Sequence, residues 1–236
     1  MSIITATNLA SFEGVEEPVV RYFPGTGTFE HDYFQNIECI GEGRFRMMLR
    51  YRAGEWWDGD RDTCNTDRQR AEVKGLGPHP CLGDTFVYGT TWRSNPELRT
   101  GSGFCHIFQL KAANDEPHDL PLVVVSLLPE TGRAALRYTT GTTQPDDDNP
   151  LICAGEFAWK TGEWQTLLIR IKPSATCDGE LQVTVNGVDL TRVVGLDLRR
   201  PKHSEYRPKW GFYRATADLT TGEDFIEHAN VTAAKL

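Results

Sequence analysis

The chain has 236 residues, of which 39% are hydrophobic and 25% are charged, a composition typical of a globular protein and not of a disordered one. The formal net charge of −8 argues against a nucleic-acid-binding protein, and no apolar stretch is long enough to cross a membrane. Because β-sandwiches of this length often form one domain, a single domain is predicted over residues 1–236.

Alternating apolar and polar residues predict short β-strands along the chain, because a strand sends successive side chains to opposite faces. The strands predicted in this way cover residues 44–52, 86–93, 122–127, 134–138, 164–172 and 181–185. Polar loops are predicted at 56–62 and 139–150, and Asn186-Gly187 is a strong signal for a hairpin turn. No helix longer than a turn or two is expected. The pattern indicates an all-β fold, a two-layer antiparallel jelly roll with a concave substrate cleft.

Three further segments, at 68–74, 104–111 and 206–213, combine an apolar face with a polar one. The polar side chains that alternation places together are Arg68, Arg70, Glu72 and Lys74 in the first segment, Gln109 and Lys111 in the second, and Lys209 and Tyr213 in the third. If the three strands share a sheet, these groups converge on one surface. Such a set is suited to binding a carboxylate and moving a proton.

The histidines are less informative. His79 lies between two prolines directly after the first segment, and a rigid loop of this kind suits a positioned base. His106 alternates with Phe104 and Phe108, so we expect it to face the core. His228 is expected at the surface.

The cysteines and the N-terminus bear on the compartment. There are six cysteines but no Cys-x-x-Cys spacing, which argues against a zinc site and leaves open whether disulfides form. Residues 1–5 have no charged start and no long apolar run, unlike a signal peptide. We expect a secreted or periplasmic protein whose leader is absent from this sequence, with an intracellular protein carrying free thiols as the alternative.

The three segments occur in an order that matches a known pattern. Alginate lyases of the jelly-roll type carry an Arg-(Ser/Thr)-Glu strand, a Gln-Ile-His strand and a Tyr-x-Lys-x-Gly-x-Tyr strand. The corresponding stretches here are Arg70-Ala71-Glu72, Gln109-Leu110-Lys111 and Lys209-Trp210-Gly211-Phe212-Tyr213. Ala71 replaces the hydroxyl residue, Lys111 stands where the histidine would be, and Tyr206 lies one residue too far upstream.

The chain therefore resembles the jelly-roll polysaccharide lyases, which include alginate lyases, heparin lyase I and glucuronan lyases. The missing histidine favours the glucuronan or heparin branches over alginate, and the size of the chain is most similar to that of a glucuronan lyase. The resemblance implies cleavage of a uronic-acid polymer, with β-1,4-polyglucuronate as the first choice, by β-elimination. The product would carry a 4,5-unsaturated uronosyl end.

The resemblance also implies roles for individual residues. Gln109 and Arg70 would neutralise the substrate carboxylate, and Tyr213, alone or with His79, would transfer the protons. Lys209 and Arg70 are expected to lower the pKa of Tyr213, and Glu72 to orient Arg70. The residues expected to bind substrate are Lys111, Lys209, Arg68, Lys74, Tyr206 and Trp57.

Cofactors and partners follow from the same resemblance. The chemistry requires no cofactor. Jelly-roll lyases often hold a structural calcium ion, and the acidic loop at 58–62 superficially resembles a calcium loop, although no ligand set is assigned. The expected partner is an anionic polysaccharide, with no nucleic acid and no membrane, and the protein is expected to be a monomer.

Two other functions are compatible with the fold. A non-catalytic, lectin-like carbohydrate-binding module would need aromatic platforms but not the cluster of Arg, Gln, Lys and Tyr. A sandwich-fold glycoside hydrolase would need paired carboxylates, usually on one strand, and no Glu-x-Asp-x-x-Glu run is present.

Overall fold

The computed structural model describes residues 2–5, 11–12, 14–16, 20–23, 28–31, 36–51, 56–58, 68–113, 120–128, 131–143 and 150–236. Within these ranges the chain consists of β-strands joined by turns and loops. None of the described residues belongs to a helix that is long and apolar enough to cross a membrane.

The first nine strands are β1 (Ser2–Thr5), β2 (Gly14–Glu16), β3 (Val20–Phe23), β4 (Thr28–His31), β5 (Ile37–Gly41), β6 (Arg44–Tyr51), β7 (Trp56–Asp58), β8 (Arg68–Lys74) and β9 (Phe86–Ser94). The others are β10 (Cys105–Ala112), β11 (Val123–Leu128), β12 (Arg133–Tyr138), β13 (Ile152–Ala158), β14 (Gln165–Lys172), β15 (Gly179–Val185), β16 (Val188–Leu196), β17 (Tyr206–Ala215) and β18 (Gly222–Lys235).

Two antiparallel sheets contain most of these strands. The front sheet has the order β13-β12-β11-β10-β17-β8-β2, and the back sheet has the order β16-β15-β14-β9-β18-β6-β5, with β1 also paired to β18. Strands β4, β3 and β7 form a small third sheet. Every pairing is antiparallel, as expected for a jelly-roll sandwich.

The core lies between the front and back sheets, and alternation explains how it forms. In β14, Leu167, Ile169 and Ile171 are fully buried, and the residues between them are more exposed. Across the sandwich, the rings of Tyr88 and Phe108 lie 5.6 Å apart between centroids, within the range of an aromatic contact. Burial of such side chains is the main force that holds the two sheets together.

Most of the strands predicted from the sequence are present, and the hairpin at Asn186-Gly187 is confirmed. Both residues have positive φ, 50° and 79°, as a primed two-residue turn requires. One prediction is wrong: Trp56–Asp58 forms strand β7 and not a loop. Strands β1 to β5, β13, β16 and β18 were not predicted from the sequence.

Strand β18 was missed because polar side chains are buried on both of its faces. On the outer face, Glu227 is fully buried and accepts hydrogen bonds from Arg46 at 2.8 Å and Arg93 at 2.8 Å. On the inner face, His228 is also fully buried, so the expectation that it lies at the surface is wrong. Its Nε2 lies 3.3 Å from the carbonyl oxygen of Gly211, directly across the sandwich in the front sheet.

A buried ion pair connects the two sheets near the end of β17. Arg214 and Asp224 are both fully buried, with Arg214 Nη1 2.6 Å from Asp224 Oδ2. The same guanidinium donates to Gln69 Oε1 at 3.2 Å, which ties β17 to β8. Arg99 adds a second contact to Asp224 at 2.6 Å. The cluster therefore joins strands that carry site residues to the back sheet.

Asp224→Asn is expected to lower the free energy of unfolding by about 3 to 5 kcal/mol, because it leaves the buried Arg214 without its counter-charge. Urea denaturation measures the change. The matched control is Arg133→Met, which breaks the exposed pair between Arg133 and Glu156 (2.8 Å). That control should change stability by about 1 kcal/mol or less. Equal losses in the two variants would contradict the prediction.

Candidate active site

The prediction that the three polar strands share a sheet is confirmed. Strands β10, β17 and β8 are neighbours in the front sheet. The register pairs Tyr213 with Arg70, and Lys209 with both Lys74 and Gln109. Paired residues on neighbouring strands point to the same side of a sheet. These side chains therefore lie on one surface.

This surface is the outward face of the front sheet, called the basic face below. The side chains that alternate with it on β8 and β17 are Ala71, Val73, Trp210 and Phe212, all fully buried in the core. The basic face also carries Arg207, opposite Lys111, and Arg137 on β12. The sequence analysis did not select these two arginines. Alternation on β17 could have found Arg207, whereas Arg137 required knowledge of the strand order.

Tyr213 lies among cationic and aromatic side chains. Arg68 Nη1 donates a hydrogen bond of 3.1 Å to its hydroxyl. The Arg70 guanidinium lies 5.3 Å from the centroid of its ring, within the range of a cation–π contact. The Phe104 ring packs edge-on at 4.8 Å. The phenol is thus held in position and placed next to two positive charges.

The expectation that cationic neighbours lower the pKa of Tyr213 is wrong in its net direction. Burial raises the pKa above its ordinary value, and the charge of Glu72 adds to the rise. Arg68 and Arg70 act in the opposite direction, but they do not outweigh the loss of solvent around the hydroxyl. In the free protein, Tyr213 therefore carries its proton at neutral pH.

Gln109 is bound to a buried carboxylate. Its Nε2 donates to Glu72 Oε1 at 2.7 Å, and both side chains are almost completely buried. The structure shows Glu72 as an acceptor for Gln109, and its expected role in orienting Arg70 stays a prediction. Because one amide hydrogen is committed to Glu72, the orientation of the side chain is defined. The second amide hydrogen can then serve a substrate.

His106 lies on the basic face, so the expectation that it faces the core is wrong. The register shifts between His106 and Phe108, which interrupts the alternation at Ile107 and pairs His106 with Tyr213. Its ring stacks on Phe104 at 4.9 Å, and its Nδ1 lies 2.8 Å from Ser126 Oγ. A bulge changes the face to which a side chain points. Alternation alone could not have found this residue.

The imidazole of His106 is neutral at physiological pH. Burial lowers its pKa to about 3, and the positive charges of Arg137 and Lys111 act in the same direction. A neutral ring packed against Tyr213 excludes water without adding another charge. His106 therefore contributes to the burial that raises the pKa of the phenol.

Two of the predicted residues, Tyr206 and His79, lie away from this group. Tyr206 is fully buried on the core side of β17, where its hydroxyl accepts from the Arg200 amide at 2.9 Å and donates to the His203 carbonyl at 3.3 Å. The structure does not bring it to the basic face. Trp57 lies on β7, and its side chain is outside the described residues.

His79 lies beyond the Lys74 end of β8. Its Nδ1 is 3.0 Å from Glu205 Oε1, and it lines a cavity of about 600 Å³ with Leu76 and Pro78. Tyr213 pairs with Arg70, four residues before Lys74, which corresponds to about 13 Å of strand. The structure therefore places His79 and Tyr213 in different surroundings.

No group of three or more metal-ligating side chains occurs among the described residues. Of the predicted acidic loop at 58–62, all but Asp58 falls outside them, so the calcium ion stays a prediction. The cysteines that the structure describes, Cys39, Cys81, Cys105, Cys153 and Cys177, are free thiols. Cys64 lies outside the described part of the chain.

Comparison with solved structures shows what this fold is similar to. An endo-beta-1,4-glucuronan lyase from the fungus Trichoderma reesei matches with a TM-score of 0.71 and 14% identity, over 100% of this chain and 95% of that chain. Alginate lyase A1-II', a member of polysaccharide lyase family-7, matches with a TM-score of 0.62 and 17% identity, over 98% and 99% of the two chains. The alginate lyase AlyC3 gives 0.57 and 11%, over 94% and 90%.

These similarities confirm the predicted jelly-roll sandwich, and at such low identity they show the fold alone. No curated protein matches the sequence. A family model, described as polysaccharide lyase, matches residues 23–230, which is most of the chain and includes every strand of the basic face from β8 to β17. By that match, the chain belongs to the polysaccharide lyase family.

Proposed function

We propose that this protein cleaves a polymer of uronic acids, with β-1,4-polyglucuronate as its substrate, by β-elimination. The observation that carries the proposal is the hydrogen bond from Arg68 to the Tyr213 hydroxyl, on the face that also holds Arg70 and Gln109. The arrangement combines a proton-transfer group with donors for a carboxylate. An elimination next to a carboxylate needs both.

The first requirement is to acidify the C5 proton of the uronic acid. That proton becomes removable when negative charge can spread onto the adjacent carboxylate, and hydrogen-bond donors aimed at the carboxylate stabilise the charge as it develops. The free amide hydrogen of Gln109 and the guanidinium of Arg70 are such donors. Glu72 holds the Gln109 amide in its orientation before the substrate arrives.

The second requirement is a group that takes the C5 proton and returns one to the leaving O4. Tyr213 can accept a proton only as the phenolate, whose charge is stabilised by the Arg68 donor at 3.1 Å and by Arg70 above the ring. After accepting the C5 proton, the same hydroxyl can donate it to O4. These two steps require the C5 proton and O4 to lie on one side of the sugar, which makes the reaction a syn elimination.

Two observations support glucuronan over alginate as the substrate. Lys111 stands where the jelly-roll alginate lyases carry the histidine of their Gln-Ile-His strand, so that histidine is absent from this position. The solved structures that resemble this fold include one named as an endo-beta-1,4-glucuronan lyase, with a TM-score of 0.71.

The test is a panel of glucuronan, alginate, heparin and ulvan, with formation of the unsaturated product followed by its ultraviolet absorbance. Product from glucuronan at the highest kcat/KM supports the proposal, and product from alginate alone would overturn the choice of substrate. Binding without any unsaturated product would identify a lectin-like module. Cleavage that releases only saturated reducing ends would identify a hydrolase.

His79→Ala is expected to change kcat by only a few-fold, whereas removal of a general base costs about 10²- to 10⁴-fold. The reason is that His79 is paired with Glu205 beyond the Lys74 end of β8, away from Tyr213. Steady-state kinetics on polyglucuronate measures the effect. A loss as large as that of a Tyr213 variant would make His79 the base and Tyr213 the acid.

A further inference from the structure

Arg137 extends the basic face beyond the proposed reaction centre. It lies on β12, where the register pairs it with Val124 of β11, and Val124 pairs in turn with Gln109 of β10. The three residues therefore form one row across the sheet and point to the same side. Two strand spacings separate Arg137 from Gln109, which corresponds to about 10 Å. That distance exceeds the length of one sugar ring.

The guanidinium of Arg137 has no acceptor among the residues that the structure describes. Its Nε is buried and makes no hydrogen bond, although the side chain as a whole is only half-buried. Arg133, on the same strand and the same face, contrasts with it, because its Nε donates to Glu156 at 2.8 Å. A buried guanidinium N–H without a partner is costly, and an acceptor brought by a ligand would remove that cost.

The surroundings of Arg137 are positively charged. Arg137 and Lys111 both act on the buried imidazole of His106, and both oppose its protonation. The nearest paired positions on β11, Val124 and Ser126, carry no charge. An anion placed here would be attracted by Arg137 and Lys111 together.

We propose that Arg137 binds the carboxylate of a second uronic acid residue, separate from the residue that is cleaved. This inference rests on the proposed function and adds a subsite to it. A carboxylate accepts two parallel hydrogen bonds from a guanidinium, which suits an arginine without an acceptor in the described part of the chain. The enzyme would then favour chains in which uronic acids follow one another closely. It would favour long oligomers over the shortest ones.

Arg137→Met tests the subsite, because methionine keeps an apolar stem but removes every donor. On polyglucuronate, KM is expected to rise about 10-fold or more, the loss that corresponds to one charge-assisted hydrogen bond. On the shortest oligomer that the wild-type enzyme cleaves, KM should change by less than about twofold, because that oligomer does not reach the subsite. Arg133→Met is the matched control, and its KM on the polymer should stay at the wild-type value.

A stability measurement separates this role from a structural one. Arg137 has no acceptor among the described residues and, like Lys111, opposes a positive charge at His106, so removing its guanidinium should leave the Tm of Arg137→Met equal to or above that of the wild type. An unchanged KM on the polymer would overturn the proposal. So would an equal rise in the Arg133→Met control, or a rise in KM that is the same for every oligomer length.

Binding separates this inference from the proposed activity. In the Tyr213→Phe background, the Kd for polyglucuronate is measured by calorimetry with and without Arg137→Met. A Kd that is about 10-fold weaker in the double variant supports the subsite, and equal Kd values overturn it. If the wild-type protein yields no unsaturated product from any polyuronate, the proposed function fails, but this comparison still decides the role of Arg137.

Discussion

Tyr213→Phe is expected to lower kcat on polyglucuronate by about 10²- to 10⁴-fold, the usual contribution of a positioned acid–base group. Only one hydroxyl is lost, so the ring can keep its cation–π contact with Arg70 and its edge contact with Phe104. The affinity for substrate should therefore stay near the wild-type value. Single-turnover kinetics with saturating substrate measures the chemical step directly.

The pH profile provides an independent measure of the same role. Because burial raises the pKa of Tyr213, the phenolate is scarce in the free protein at neutral pH, and kcat/KM should rise as the pH rises toward that pKa. Tyr213→Phe should lose this dependence along with its activity. Tyr51→Phe, on the back sheet, is the matched control and should retain both. Near-wild-type turnover in Tyr213→Phe would rule out the proposed mechanism.

Gln109→Ala is expected to lower kcat by about 10²-fold or more, because it removes a donor aimed at charge that develops in the transition state. The fold decrease in kcat should exceed any fold change in KM, since the hydrogen bond from Gln109 strengthens only as the substrate carboxylate takes up negative charge. The variant also removes a hydrogen bond from the buried carboxylate of Glu72, so a fall in stability is expected too.

Two controls separate these effects. Gln182→Ala, on β15 of the back sheet, removes an amide remote from the basic face and should leave kcat unchanged. Thermal melting shows how much of the Gln109→Ala protein is folded at the assay temperature, and rates are compared only where both proteins are folded. If folded Gln109→Ala turns over polyglucuronate at the wild-type rate, the carboxylate is bound by other groups.

Local alternation was enough to place Gln109, Lys209 and Tyr213 on one face. A strand has a side-chain period of two, so the face of each residue follows from its position as long as the strand is regular. The order of the three segments then made the family recognisable. By the same reasoning, alternation predicted most of the core strands, and the Asn186-Gly187 dipeptide predicted the hairpin.

The surroundings of these residues depend on contacts between strands that are distant in the sequence. The bulge at Ile107 brings His106 to Tyr213, and burial by such neighbours raises a pKa that the local charges alone would lower. Strand order sets Arg137 two strands from Gln109, with β11 between them. In the regular strands, the order of residues alone shows which side chains face outward, because that is a local property of a strand; at the bulge beside His106 it does not. Which outward-facing side chains meet, and how strongly burial shifts their protonation, depends on the folded sheet, because pairing and desolvation are set by all of its strands.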